Sequence, residues 1–340
     1  MAIERIDVNV TSPGRNFVTA RITTSDGLTG LGDGTLNGRE LAVASYLRDH
    51  VAPTLIGRDE SQVESIWQYL YRSPYWRRGP VTMAAVAAID MALWDIAAKK
   101  AGEPLYKLLG GASRIGLLSY AHASGTTIDT LNDAIRGYLE QGFQAVRIQA
   151  GVPGLGRIYG VHDAAPGGTY EYEPAGRAAA GAAMRPTEET GETAAYLRHL
   201  PTVSAGAREE FGPELHLLHD GPHRMTPIEA ARLAKSLEPC DPFWLEDCTP
   251  GEDQTVLRLA PRHSVTPLAI HSVGIQEYMP HSETTLSVFR TSYRFSGGLL
   301  HPGETPGLGV ELDEAAAARH EYQPAYLPVN RLRDGTVHDW

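Results

Sequence analysis

The sequence predicts an α/β protein in two parts: an α+β module over residues 1–112, then strands alternating with helices over 113–278. Three observations carry this prediction. Near the N-terminus, "IERIDVNV" and "NFVTARITTSDGLTGLGDG" show the alternation of half-buried strands around a Ser-Asp-Gly turn. A long Ala-, Met- and Leu-rich helical pattern then closes the first part. From residue 113 the rhythm changes to short apolar strands separated by amphipathic helices, and two of those strands end in acid.

In the first part, residues 1–34 read as β-structure, followed by helical patterns over Gly38–Leu55 and Ser61–Tyr71. The strongest helix lies within "VTMAAVAAIDMALWDIAAKKAGEPLYKLLGG" (81–111). Gly102 follows its last periodic turn, and Pro104 prevents its continuation. In the second part the expected strands are 116–125, 145–151, 214–220, 242–248 and "TPLAI" (266–270). Residues 127–143 and 226–237 read as helices, the latter with Thr226 as N-cap, Pro227 at N1 and Glu229 at N3, and "QTVLRLAPRH" as a weaker one. Such βα units give a parallel sheet with covered faces, either open or closed as a barrel. Residues 151–186, rich in Gly, Ala and Pro, read as a mobile loop over one end of the sheet. Residues 279–340 are expected to form a C-terminal tail that packs back towards the active-site and capping region.

Composition narrows the function classes. With 42% hydrophobic and 21% charged residues, usage is that of an ordinary globular protein. A net charge of −11 argues against nucleic acid or an anionic membrane as partner, so an anionic substrate needs a local cation to hold it. The two cysteines, Cys240 and Cys248, are too few for a disulfide framework and wrongly spaced for a CxxC motif. The N-terminus lacks a basic-then-apolar signal and no run of about 18 apolar residues occurs, so the expected location is the cytoplasm.

Asp220 and Glu246 are the first candidates for chemistry. Each closes an expected strand, and their separation is about one βα repeat, which sets the two carboxylates side by side at the C-terminal face of a barrel. Paired carboxylates on rigid elements suit Mg²⁺, a hard oxygen-seeking cation; a strand-end acid can equally cap the following helix. Arg147 lies on the second strand, where it could hold a carboxylate or form a surface salt bridge. His122 ends the first strand in a structural or functional role. Tyr159 is either an acid/base or a loop contact, and Asn37, in "GDGTLNGRE", is either a ligand contact or part of a helix-capping turn.

Read together, "GLTGLGDGTLNGRE", "AAIDMALWDIAAKKAGEPLYKLLGG", "RIQAGVPGL", "LHLLHD", "FWLEDC", "GIQEYM", "LHPGETPGLGV" and "AYLPVNRLRDGTVHDW" resemble the enolase superfamily, and within it the mannonate dehydratase group. The resemblance runs almost end to end. It implies an α+β capping domain on a modified (β/α)7β TIM barrel, and Mg²⁺ held by three carboxylates at the ends of barrel strands three, four and five. It further implies a six-carbon sugar acid such as D-mannonate or D-gluconate as substrate, which loses the proton next to its carboxylate and its 3-hydroxyl as water. By motif, Asp220 and Glu246 match the first two metal ligands, and Tyr159 a catalytic tyrosine paired with Arg147. Asn37, His122 and Glu277 match substrate contacts. The family tends to assemble, so a homo-oligomer is expected.

Two departures stand out. Where the family reads His-Asp-x-His-His-Arg, this chain reads "HDGPHR", so Pro222 replaces an acid/base histidine and His223 is the one that remains. Where the family follows "TPLA-I/V" with Gly-Glu, the third ligand, this chain has His271 and Ser272 and runs straight into "GIQEYM". The resemblance therefore implies an internal deletion of about 70 residues after Ile270, which removes barrel strands six and seven. A barrel so shortened is expected to be incomplete, with exposed strand edges and weakened catalysis. The other expectation, from a different functional class, is a non-catalytic remnant that binds a small acid or a partner subunit.

Overall fold

The computed structural model describes residues 1–155, 188–221, 225–249, 268–269 and 275–338. Its first part is an antiparallel sheet, β1 (Ile3–Thr11), β2 (Phe17–Thr24) and β3 (Thr29–Asp33), in sequential order. Alternation along β2 puts Val18, Ala20 and Ile22 into the core. The expected Ser-Asp-Gly turn joins β2 to β3, closed by Gly27 N–H donating to the Thr24 carbonyl at 2.8 Å. The helices that follow are α1 (Glu40–Ser45), α2 (Ala52–Leu55), α3 (Val63–Arg72), α4 (Pro80–Ala101) and α5 (Leu105–Leu108). The stretch expected as one helix from Gly38 to Leu55 is broken by a π-helical turn at Tyr46–Val51.

By length and apolar composition α4 could cross a membrane, but here it is the core helix of this part. It ends with Gly102 in the left-handed conformation, as the sequence predicts. Glycine lets β3 approach it closely: a Cβ on Gly30 would sit 2.1 Å from the Ala92 carbonyl oxygen, and one on Gly32 1.8 Å from that of Ala88.

The second part is built on parallel strands β4 (Leu117–Gly125), β5 (Ala145–Ala150), β7 (His216–Asp220), β8 (Trp244–Glu246), β9 (Leu268–Ala269) and β10 (Ile275–Glu277). A short strand, β6 (Glu188–Thr190), lies outside this sheet. Between the barrel strands run α6 (Ile128–Glu140), α7 (Thr193–Phe211) and α8 (Pro227–Leu237). The Thr226/Glu229 capping box predicted for α8 is present, and Thr127 and Thr130 form another at α6.

Helix α7 is absent from the sequence prediction. Pro201 lies inside it, a residue that ordinarily breaks a helix. Buried Tyr196, Leu200, Val203 and Ala207 hold it against the sheet, so packing overrides the local signal.

Strand order is β10–β4–β5–β7–β8–β9, with β10 parallel to β4 through Glu277 opposite Tyr120. Among the described residues β9 and β10 do not pair with each other, so this run of parallel strands is open between them. The tail carries α9 (Glu283–Val288), β11 (Phe289–Thr291), β12 (Arg294–Ser296), β13 (Leu299–His301), β14 (Val310–Leu312), α10 (Glu314–Ala317), β15 (Val329–Arg331) and β16 (Val337–His338). It binds both parts. Strand β13 pairs antiparallel with Leu117 and Leu118, β15 pairs with β6, and Thr11 Oγ1 donates to the Ala317 and His320 carbonyls at 3.0 and 2.8 Å.

Candidate active site at the strand ends

Side chains on a strand alternate between its faces, and each parallel strand here follows that rule. Val146, Ile148, Leu217 and Leu245 pack outwards against the helices. On the other face Tyr120, Ala145, Leu218, Trp244 and Ile275 form a separate apolar cluster, one residue from each of five strands. Two positions further along the same five strands stand His122, Arg147, Asp220, Glu246 and Glu277. A polar layer thus rests directly on an apolar plug, at the C-terminal end of the sheet where barrel enzymes place their chemistry.

Hydrogen bonds run along this layer. Arg147 Nη1 donates to Asp220 Oδ2 at 2.6 Å and lies 3.8 Å from Glu246 Oε1. Asp220 and Glu246 are directly opposite in the β7–β8 register, and Trp244 Nε1 donates to the other oxygen of Glu246 at 2.7 Å. On the other side Arg147 Nη2 donates to His122 Nδ1 at 3.0 Å, and His122 Nε2 lies 2.8 Å from Glu277 Oε1. Since a guanidinium only donates, Nδ1 is the acceptor nitrogen and Nε2 carries the proton towards Glu277.

Burial decides the charge states. It lowers the His122 pKa to about 4, with the neighbouring Arg147 charge adding to the effect, so the imidazole is neutral at pH 7. Burial and the Asp220 charge raise Glu246 to about 7, although Arg147 and the Trp244 N–H pull the other way. For Glu277, burial pushes upwards, but the hydrogen bond from His122 and the nearby Arg147 and Arg15 charges outweigh it and hold the carboxyl below its usual value. The Cys248 thiol, two residues beyond Glu246, is buried and pushed well up, which leaves it unreactive.

Local chain geometry holds the two carboxylates in place. After Asp220, Gly221 N–H donates to the Glu246 carbonyl at 2.8 Å, and a Cβ there would meet Met225 at 2.5 Å. Asp247 takes a left-handed φ of 45° directly after Glu246, and of these two adjacent acids Glu246 is the buried one.

The structure therefore brings together five of the residues singled out from sequence. Asn37 is exposed in the loop before α1 and makes none of the cluster's contacts among the described residues. Tyr159, Pro222, His223, His271 and Ser272 lie outside the described residues, as do the loop expected at 151–186 beyond Leu155 and the helix expected at "QTVLRLAPRH". No group of three or more His, Cys, Asp or Glu side chains placed to hold a metal occurs among the described residues.

Sequence reasoning missed Arg15, on the β1–β2 hairpin of the first part. Its charge reaches His122, Glu277 and His281, and its Nη1 lies 3.8 Å from Met279 Sδ. The local signal was slight: one basic residue in a "SPGRN" turn. Trp244, the hydrogen-bond donor to Glu246, was legible only as an apolar strand residue.

Comparison with known proteins agrees with this architecture. Residues 6–110 match the mandelate racemase/muconate lactonizing enzyme N-terminal domain, and residues 130–273 match the enolase C-terminal domain-like family. A D-galactonate dehydratase family member of Pseudarthrobacter chlorophenolicus is 52% identical, with 100% of both chains covered. A D-mannonate dehydratase of Caulobacter sp. (strain K31) is 46% identical over 98% of each chain. The first alignment extends over 414 positions against the 340 residues here, in keeping with an internal deletion and an incomplete barrel. Among solved structures, an enolase from Pantoea ananatis with bound D-gluconate and Mg superposes with a TM-score of 0.85 at 28% identity, covering 100% of both chains. A 3,6-anhydro-D-galactonate cycloisomerase from Zobellia galactanivorans shares the fold, with a TM-score of 0.72 at 20% identity, covering 95% of this chain and 100% of the other. The chain belongs to the enolase superfamily, beside relatives named as D-mannonate and D-galactonate dehydratases.

Proposed function

We propose that this chain is a sugar-acid dehydratase of reduced turnover, acting on a six-carbon aldonate of the D-mannonate or D-gluconate type. The observation that carries the reading is the polar layer, in which two in-register carboxylates stand beside a guanidinium and a neutral imidazole on a rigid apolar floor. Asp220 and Glu246 are hard oxygen donors on adjacent strands, and they fit Mg²⁺, which accepts one or two protein carboxylates and completes its shell with water and substrate oxygens. A Mg²⁺ held by these two carboxylates would supply positive charge to the substrate carboxylate and so acidify the adjacent C–H.

The chain's own groups do the rest. His122 presents its Nε2 proton and Glu277 an acceptor, a pair suited to sugar hydroxyls. Tyr159, which by motif pairs with Arg147, takes the proton from the carbon next to the carboxylate. The electron pair forms the new double bond as the 3-hydroxyl leaves, protonated by His223, as water. The enol then becomes a 2-keto-3-deoxy acid.

Turnover is reduced for three reasons. Pro222 has no proton to give. No acid occurs between Leu268 and Gly274 to serve as a third ligand. The layer is also open between β9 and β10 among the described residues. The second reading, a chain that binds an acid without turnover, is favoured by Arg147, which already occupies the carboxylate pair.

The test is incubation of the purified chain with D-mannonate or D-gluconate and Mg²⁺, following the 2-keto-3-deoxy acid. Slow product formation is expected, abolished by chelation and reduced about 100-fold or more in Asp220→Asn. Aldonate binding without product would move the assignment to the second reading. Neither binding nor product overturns both.

A further inference from the structure

We infer that Arg147 is a built-in counter-ion for the Asp220–Glu246 pair, so that the guanidinium and a divalent cation compete for the same two carboxylates. The inference rests on the reading of these acids as the metal site, and it concerns what holds that site together. The three side chains are almost withdrawn from water, with 13% of Arg147, 13% of Asp220 and 9% of Glu246 exposed. Two carboxylates placed side by side at that depth repel each other and lose hydration, so a cation must accompany them. Arg147 Nη1 provides it, 2.6 Å from Asp220 Oδ2 and 3.8 Å from Glu246 Oε1.

The source of this cation matters. Arg147 is in β5, and its strand position faces the carboxylates as a consequence of the pleat, two residues above Ala145 in the plug. Its second nitrogen is anchored on His122 Nδ1 at 3.0 Å, which directs the fork across the layer from β4 to β7. A cation carried by the chain costs no association entropy, so two carboxylates without a third can remain buried at any metal concentration. A metal that enters has to release Nη1 from Asp220, and its affinity is lowered by the strength of that contact.

Thermal unfolding of the whole chain in EDTA and in millimolar Mg²⁺, without any aldonate, tests this directly. The wild-type melting temperature should move by no more than about 2 °C between the two conditions. Arg147→Gln should melt roughly 6–15 °C lower in EDTA, and Mg²⁺ should recover most of the loss. Arg147→Lys, which keeps the charge without the fork, should fall between them. Should Arg147→Gln fail to fold in EDTA, the double variant Arg147→Gln/Asp220→Asn relieves the repulsion and should fold with no Mg²⁺ dependence. An Arg147→Gln chain as stable as wild type in EDTA overturns the inference, as does one that Mg²⁺ stabilises no more than wild type. Because no substrate is present, this result is independent of turnover: an active enzyme can fail the test, and an inactive chain can pass it.

Discussion

The capping half and the barrel half of this chain solve the same problem with unequal success. In the capping half a three-stranded sheet lays one face on a 22-residue helix, and Ile3, Ile22, Leu47, Ile66, Ile89 and Ile96 are almost completely buried in the core that these share with the shorter helices. Buried Asp95 clamps that half to the tail, accepting from Leu31 N–H at 3.0 Å, Lys99 Nζ at 2.6 Å and Leu308 N–H at 2.7 Å. The barrel half has a well-packed outer layer, but its inner plug is one residue per strand and its sheet is open between β9 and β10 among the described residues. An antiparallel sheet against a helix is finished once its own few strands are paired. A barrel is finished only when strand number, tilt and shear agree around the whole circle. A chain shortened internally, as the 414-position alignment against 340 residues is in keeping with, can therefore complete the first half and still leave the second open among the described residues.

That contrast can be broken or sharpened by measurement. The largest effect is expected at Asp95. Asp95→Ala leaves the Leu31 and Leu308 N–H groups without their acceptor and Lys99 without its carboxylate partner, and should cost about 3–5 kcal/mol in chemical denaturation. A cost below about 1 kcal/mol would show that the clamp is not what ties the tail to the capping half. Next comes a matched pair of truncations. Ile89→Ala, in the closed core, should lose about 4 kcal/mol, whereas Ile275→Ala, in the plug beside the open side, should lose about 2 kcal/mol because its surroundings can collapse into the space. Equal losses would mean that the barrel half is packed as tightly as the capping half.

The smallest effect concerns pH. The folded-state pKa of His122 is lowered from 6.5 to about 4 by burial and then by Arg147, so its contribution is complete above pH 6.5 and is lost as pH falls towards 4. Glu246 is raised from 4.5 to about 7 by burial and then by Asp220, so its contribution is complete below pH 4.5 and is lost as pH rises towards 7. Between pH 4.5 and 6.5 the two slopes oppose each other. Wild-type stability should therefore vary less over that interval than that of His122→Gln, whose stability should decline relative to wild type as pH rises. The comparison is a series of urea unfolding curves at fixed ionic strength; parallel pH profiles would show that His122 does not titrate as its burial requires.

Much of the fold was legible because the signals are local. The Ser-Asp-Gly turn, the left-handed Gly102, the Thr226–Glu229 capping box and the apolar runs that end at Asp220 and Glu246 each depend on residues within a few positions of one another. Helix α7 was not legible, because Pro201 speaks against it locally and only Tyr196, Leu200 and Val203 packed on the sheet speak for it. The sequence by itself determined the family, the order of the βα units and which strands would end in acid. Only the tertiary structure decided that the five polar residues share one layer two positions above the plug, that Arg147 bridges to Asp220 across 73 residues of chain, and that Arg15 reaches the layer from the capping half. Turns, caps and periodicity are written in neighbouring residues, whereas register between parallel strands is set only after long crossovers have closed and the faces have packed.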